Sequence, residues 1–250
     1  MKKAFFLAVL MLCSSQVSAQ APAEVPPEIP PPEAPAQAHL YDVFYGLPGE
    51  AGSLGIDVGI LSSDVSSIGD VSDVPLMAKY GINGNLEVGA RVTFGFLNDG
   101  RDSFSSVLAG GKYMLGENNA ISVNVLLPVG DADDPGLSVG YMMSMEAFGL
   151  LWNDHLQVGL LDGYTQGTGI NIDLLLEPYK ELNDKMVGYL DILIATNTDE
   201  IGDNLGINLG PNVDYILNDG LAVNAGVTVG IAGDQKQDDV GIGVVLLKAM

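Results

Sequence analysis

Between Leu86 and Phe96 the chain alternates without a break: Leu86, Val88, Ala90, Val92, Phe94 and Phe96 are apolar, while Glu87, Gly89, Arg91, Thr93 and Gly95 are polar or small. A period of two describes a β-strand with one face for an apolar medium and one for a polar medium. A run of about ten residues is also long enough to cross a bilayer as a tilted strand. Just upstream, Asn83-Gly84 follows a second alternating arm, and this pair suits a two-residue type I′ turn, in which both positions need φ > 0. The stretch from Pro75 to Phe96 therefore predicts one hairpin of a transmembrane barrel, with the Leu86 set towards lipid.

The same rhythm recurs. Alternating segments run over Leu54–Ile60, Val74–Tyr80, Leu86–Phe96, Val107–Leu115, Ile121–Val129, Leu137–Ala147, Leu156–Leu160, Ile170–Leu176, Met186–Ile194, Leu205–Val213, Leu221–Ile231 and Val240–Leu246. Short turns are expected at Asn83-Gly84, at Gly116 to Asn119, around Trp152-Asn153-Asp154, around Leu182-Asn183-Asp184, and at Asn218-Asp219-Gly220. Every other connection is longer. Five short and six long connections in strict alternation, which leave both chain ends on the short-turn side, predict an all-β, twelve-stranded antiparallel up-and-down transmembrane barrel. In outer-membrane barrels the short turns are periplasmic, so both termini are expected there. A soluble sandwich has no reason to alternate loop length in this way.

Composition agrees with a barrel. The formal net charge is −22, yet 47% of residues are hydrophobic and the mean hydropathy is positive. An apolar belt combined with acidic loops reconciles the two, and the charge disfavours nucleic acid as a partner. Residues 1–19 carry Lys2-Lys3, the apolar run Ala4–Leu12 and the small-residue ending Val17-Ser18-Ala19, which is the pattern of a secretory signal peptide. Leu12 precedes Cys13 where a small residue would favour lipidation, and no other cysteine follows. Residues 20–50 open with seven prolines up to His39 and read as an extended periplasmic linker, leaving residues 51–250 for the barrel.

Several short motifs resemble a known family. Pro75 with Lys79-Tyr80-Gly81 and Leu86-Glu87-Val88-Gly89, then Gly111-Lys112-Tyr113, then Leu127-Pro128-Val129-Gly130-Asp131 are similar to outer-membrane barrels of the meta-pathway phenol-degradation or transporter type. The resemblance covers roughly residues 50–150, departs from the family at Val129, where threonine is usual, and ends in Met250, where such barrels commonly end in an aromatic residue. It implies a Gram-negative outer-membrane barrel involved in uptake of small hydrophobic compounds. Its partners would be outer-membrane lipid, small solutes and the barrel-assembly machinery.

If the apolar parity faces lipid, the opposite parity faces the lumen. Lys79, Arg91 and Lys112 then fall on the second to fourth strands, and Asp173, Glu177, Asp191 and Asp214 on the eighth to tenth, on roughly opposite walls; Glu87 joins the inward set. Two arrangements follow from the same residues. Either the opposed charges set up a transverse field across a water-filled constriction, or they pair with near neighbours, Glu87 with Lys79 or Arg91 for example. The first predicts a passive channel for small solutes, the second a closed structural or adhesive barrel.

Enzymatic chemistry has little support. Only His39, in the linker, and His155, expected beside a short turn, could act as a histidine base. The acidic outward loops, such as Asp131-Ala132-Asp133-Asp134, lack the glycine and distal glutamate of a calcium loop, so no metal or other cofactor is expected. Tyr80, Tyr113, Trp152, Tyr179 and Tyr215 lie towards the short turns and are expected to form an interfacial aromatic belt.

Overall fold

Period-two segments have one way to satisfy every backbone group in an apolar surrounding, which is to close into a barrel. The computed structural model describes residues 47–62, 73–95, 106–129, 135–161, 170–198, 205–218, 220–233 and 240–250. The strands are β1 (Leu54–Ser62), β2 (Asp73–Asn83), β3 (Leu86–Gly95), β4 (Ser106–Gly116), β5 (Asn119–Leu127), β6 (Gly136–Ala147), β7 (Leu150–Leu161), β8 (Asn171–Asn183), β9 (Met186–Asn197), β10 (Leu205–Asn218), β11 (Leu221–Gly233) and β12 (Gly241–Ala249). Each is antiparallel to its sequence neighbours, and β1 pairs with β12 from Gly55↔Ala249 to Ser62↔Ile242, closing the barrel. Reciprocal backbone bonds between Leu54 and Met250 tie the two ends together at the short-turn rim. The signal peptide and the proline-rich stretch fall outside the described residues, as do the acidic connections between strands.

The predicted parity is the observed one. On β5, Ile121, Val123, Val125 and Leu127 are exposed while Ala120, Ser122, Asn124 and Leu126 are buried. On β12, Ile242, Val244 and Leu246 face out while Val245 and Leu247 pack inward with Ala222. A wall that exposes its aliphatic side chains and buries its amides and charges has the solvent preference of a lipid-embedded barrel, inverted relative to a soluble one.

Two turns differ from expectation. The β2–β3 turn is Gly84-Asn85 and not Asn83-Gly84, and neither residue takes a positive φ. Asn83 instead ends β2, where its Oδ1 accepts the Asn85 N–H at 3.0 Å, and a register shift between Gly81 and Asn83 supplies the twist that a type I′ turn would have supplied. The same device closes β8–β9, where Lys185 N–H donates to Asn183 Oδ1 beside a shift between Glu181 and Asn183. The β6–β7 turn is Phe148-Gly149, with φ of 57° and 72°, and not Trp152 to Asp154. Trp152 belongs to β7, and its Nε1–H donates back to the Ala147 carbonyl. β7 therefore starts at Leu150, six residues earlier than its alternation suggested.

Candidate functional site: the barrel interior

Buried polar side chains line the inner face on most strands: Asp57 on β1, Lys79 on β2, Glu87 on β3, Lys112 on β4, Ser122 and Asn124 on β5, His155 on β7, Glu177 on β8, and Asn208 and Asp214 on β10. Each lies on the parity opposite to the exposed aliphatic residues of its strand. Burying a polar group is costly unless it is paired, and much of the interior is arranged in pairs, although Ser122 Oγ is buried with no hydrogen-bond partner.

At the short-turn end, Lys112 Nζ lies 3.1 Å from Glu87 Oε1 across the β3–β4 pair. The two also hold a piece of backbone from outside the sheet. Lys112 Nζ donates to the Leu47 carbonyl at 3.0 Å, and Gly49 N–H donates to Glu87 Oε2 at 2.9 Å. The chain then runs along β2, with Gly52 N–H to the Gly81 carbonyl and Gly81 N–H to the Ser53 carbonyl. No side chain fits at position 81, because a Cβ there would collide with the Glu50 carbonyl. Leu47 packs against a cluster of the inward residues Met77, Ala120 and Met142, flanked by Leu108 and Met114. Residues 47–53 thus form a strap folded inside this rim of the barrel. Nothing in the alternation signalled it, because the contacts are made by backbone amides and one leucine in an aperiodic stretch.

Lys79 pairs with Asp57 of β1 at 3.6 Å, with both side chains buried. Asp214 accepts from Tyr189 Oη at 3.0 Å and from Asn224 Nδ2 at 2.6 Å, and Asn224 also reaches Asn212 Oδ1. Glu177 accepts from Asn153, which in turn accepts from Ser144 Oγ. Ser138 Oγ accepts from Asn124 and Gln157. Arg91, Asp173 and Asp191 are half-buried and likewise engaged with neighbours. The cations on β2–β4 and the acids on β8–β10 do stand on different walls, but Lys79 and Lys112 are neutralised by carboxylates one strand away. Local pairing therefore describes these two lysines, with Asp57 beside Lys79 and Glu87 beside Lys112.

Two further residues sit elsewhere than expected. Tyr179 is not part of an outer belt; its ring stacks on the buried Tyr189 with centroids 5.5 Å apart. His155 lies inside β7 and not beside a turn. Its Nε2 and the Ser122 Oγ both come over Gly140, so close that a Cβ at position 140 would collide with each. This juxtaposition of a serine with a histidine was not legible in the sequence, since it depends on the registers of three strands. Ser122 is wholly buried, which keeps it from any substrate in solution. Among the described residues no group of three metal-ligating side chains converges.

Against known proteins, no family model matches this chain, and no curated protein does. Solved structures do match. The fold is that of outer-membrane channel barrels. A NanC porin aligns with a TM-score of 0.52 at 8% identity, covering 78% of this chain and 98% of its own. An outer-membrane channel from Pseudomonas putida F1 aligns at 0.57 and 10%, covering 86% and 100%. The KdgM porin, solved in complex with disordered oligogalacturonate, aligns at 0.50 and 9%, covering 78% and 98%. Identities this low carry the shared twelve-stranded architecture and nothing about solute.

Proposed function

We propose that this chain is a non-enzymatic outer-membrane barrel, with its termini and short turns in the periplasm, that passes small solutes through a polar lumen. The observation that carries this reading is the division of the wall, aliphatic outside and hydrogen-bonded polar inside. A barrel that only needed to be stable in lipid would gain nothing from carrying Asp57, Asp173, Glu177, Asp191 and Asp214 inward. The neighbours of like fold are channels and porins, which supports the same reading. With Lys79 and Lys112 locally neutralised, the remaining inward acids outweigh Arg91, so the lumen favours cations. The resemblance noted in the sequence adds the meta-pathway phenol-degradation or transporter type, and with it hydrophobic compounds as solutes. Lipid of the outer membrane and the barrel-assembly machinery are the partners.

One observation favours a second reading, a closed structural or adhesive barrel: Ser122, Asn124, Glu177 and Asp214 are fully buried, as in a packed interior. Reversal potentials in a salt gradient separate the two. Replacing the half-buried Asp173 and Asp191 by asparagine keeps shape and removes charge, and the channel reading expects the reversal potential to move towards anions. A conducting barrel whose selectivity ignores both substitutions would place the solute path away from these residues.

A further inference from the structure

β8 and β10 each carry a proline in mid-strand, Pro178 and Pro211, and both lie level with Leu190 of β9. Proline has no N–H to give to a ladder. The β8–β9 ladder pairs Leu176 with Ile192 and resumes at Tyr179 with Tyr189, whereas Pro178 keeps its pairing with Trp152 on β7. The β10–β11 ladder pairs Leu209 with Val229 and resumes at Asn212 with Gly226, whereas Pro211 keeps its pairing with Leu190. The two interruptions therefore bracket β9 and β10 at one height. At ~3.3 Å per residue and ~40° of tilt, that height is roughly 16 Å from the short turns, about 5 Å further into the wall than a residue two positions nearer those turns.

A cavity of about 630 Å³ lies over this weakened stretch. Leu190, Pro211, Val227 and Val244 line it from the outward face, and Tyr189 and Asn212, both bonded into the interior polar network, contribute as well. Lys180 borders it on the side towards the short turns, two residues along β8 from Pro178, on the outward parity. Tyr80, Tyr113 and Tyr215, which are exposed, lie at a similar distance from their own turns. Such a depth is where interfacial side chains meet headgroups. The groove is open to the bilayer along its length, and Lys180 is the one charged side chain among its described lining residues, so an anionic head at Lys180 with an apolar chain lying along Leu190 and Pro211 suits it.

We propose that this part of the wall is a lateral binding site for a single-chain amphiphile with a carboxylate head, its chain in the groove over Leu190 and Pro211 and its carboxylate at Lys180. The site rests on the membrane location proposed above but not on an open lumen.

The test uses the full chain refolded in phosphatidylcholine vesicles, with palmitic acid bearing a diazirine, irradiation, and mapping of adducts by mass spectrometry. Adducts are expected to concentrate several-fold on Leu190, Val213 and Val227 over Val88 and Val123 of the far wall. Lys180→Gln should lower that enrichment for the palmitate probe and leave it unchanged for a diazirine-bearing hexadecanol. Ala225→Phe, an outward substitution that fills the groove, should abolish enrichment for both while the barrel keeps its heat-modifiable gel mobility. Adducts spread evenly around the belt, or palmitate enrichment indifferent to Lys180→Gln, would overturn the site. An absence of adducts on every outward residue would overturn the membrane location, and the channel with it. Groove adducts on a barrel that conducts nothing would uphold the site and remove only the channel.

Discussion

Lys112 shows how much single residues carry in this interior. The residue is 2% exposed and its ammonium meets the Glu87 carboxylate and the Leu47 carbonyl at once, so one side chain joins β3, β4 and the strap. A buried charge that loses its partner is left desolvated, at a cost of about 3–5 kcal/mol. Lys112→Met should therefore destabilise the barrel by about that much, whereas Lys112→Met combined with Glu87→Gln should cost much less, because no isolated charge remains. Urea unfolding in lipid vesicles, followed by the fluorescence of the single tryptophan, Trp152, measures both. Equal losses in the single and double variants would mean that the pair is not desolvated. Phe148 is the complementary case at the surface. It is 97% exposed at φ 57°, so it contributes no packing and carries the steric cost of a left-handed conformation, ~1–2 kcal/mol for an ordinary residue. Phe148→Asn should stabilise by up to about 1 kcal/mol in the same assay, and a loss of stability would show that the ring has a partner in the membrane interface.

At the level of the strands, parity governs tolerance. Val92 points outward between Leu76 and Val107, and Thr93 points inward on the same strand. A lysine at Val92 should cost ~2–4 kcal/mol if it lies near the midplane, and a lysine at Thr93 distinctly less; equal costs would reverse the assignment of faces. This parity was legible because lipid selects aliphatic side chains at every second position, a signal that survives in each strand alone. Strand number and the alternation of short and long connections were legible for the same reason. Turn positions were less so. Asn83-Gly84 and Trp152 to Asp154 have turn-favouring composition, but a side-chain cap at Asn83 and tolerance of a strained Phe148 moved the real turns. The interior pairs were not legible in detail, since Lys79 with Asp57 or His155 with Ser122 depends on the relative register of neighbouring strands. The strap was invisible, because backbone amides held by Glu87 and Lys112 leave no periodic trace.

The whole molecule combines an apolar outer wall, a polar inner wall with an excess of acid, and a strap seated inside one rim. These features agree on a membrane barrel. They pull in different directions on whether solute passes, since the inward acids favour a cation path while the buried amides and the strap fill space. In the channel reading, the half-buried Arg91, Asp173 and Asp191 border the water that remains, and the fully buried networks around Asp214 and Glu177 hold the wall rigid behind them. Single-channel recording of the purified full chain in a planar bilayer decides directly. Discrete conductance steps with a reversal potential on the cation side are predicted. A barrel that is folded and heat-modifiable, yet conducts nothing at any voltage, would contradict the channel.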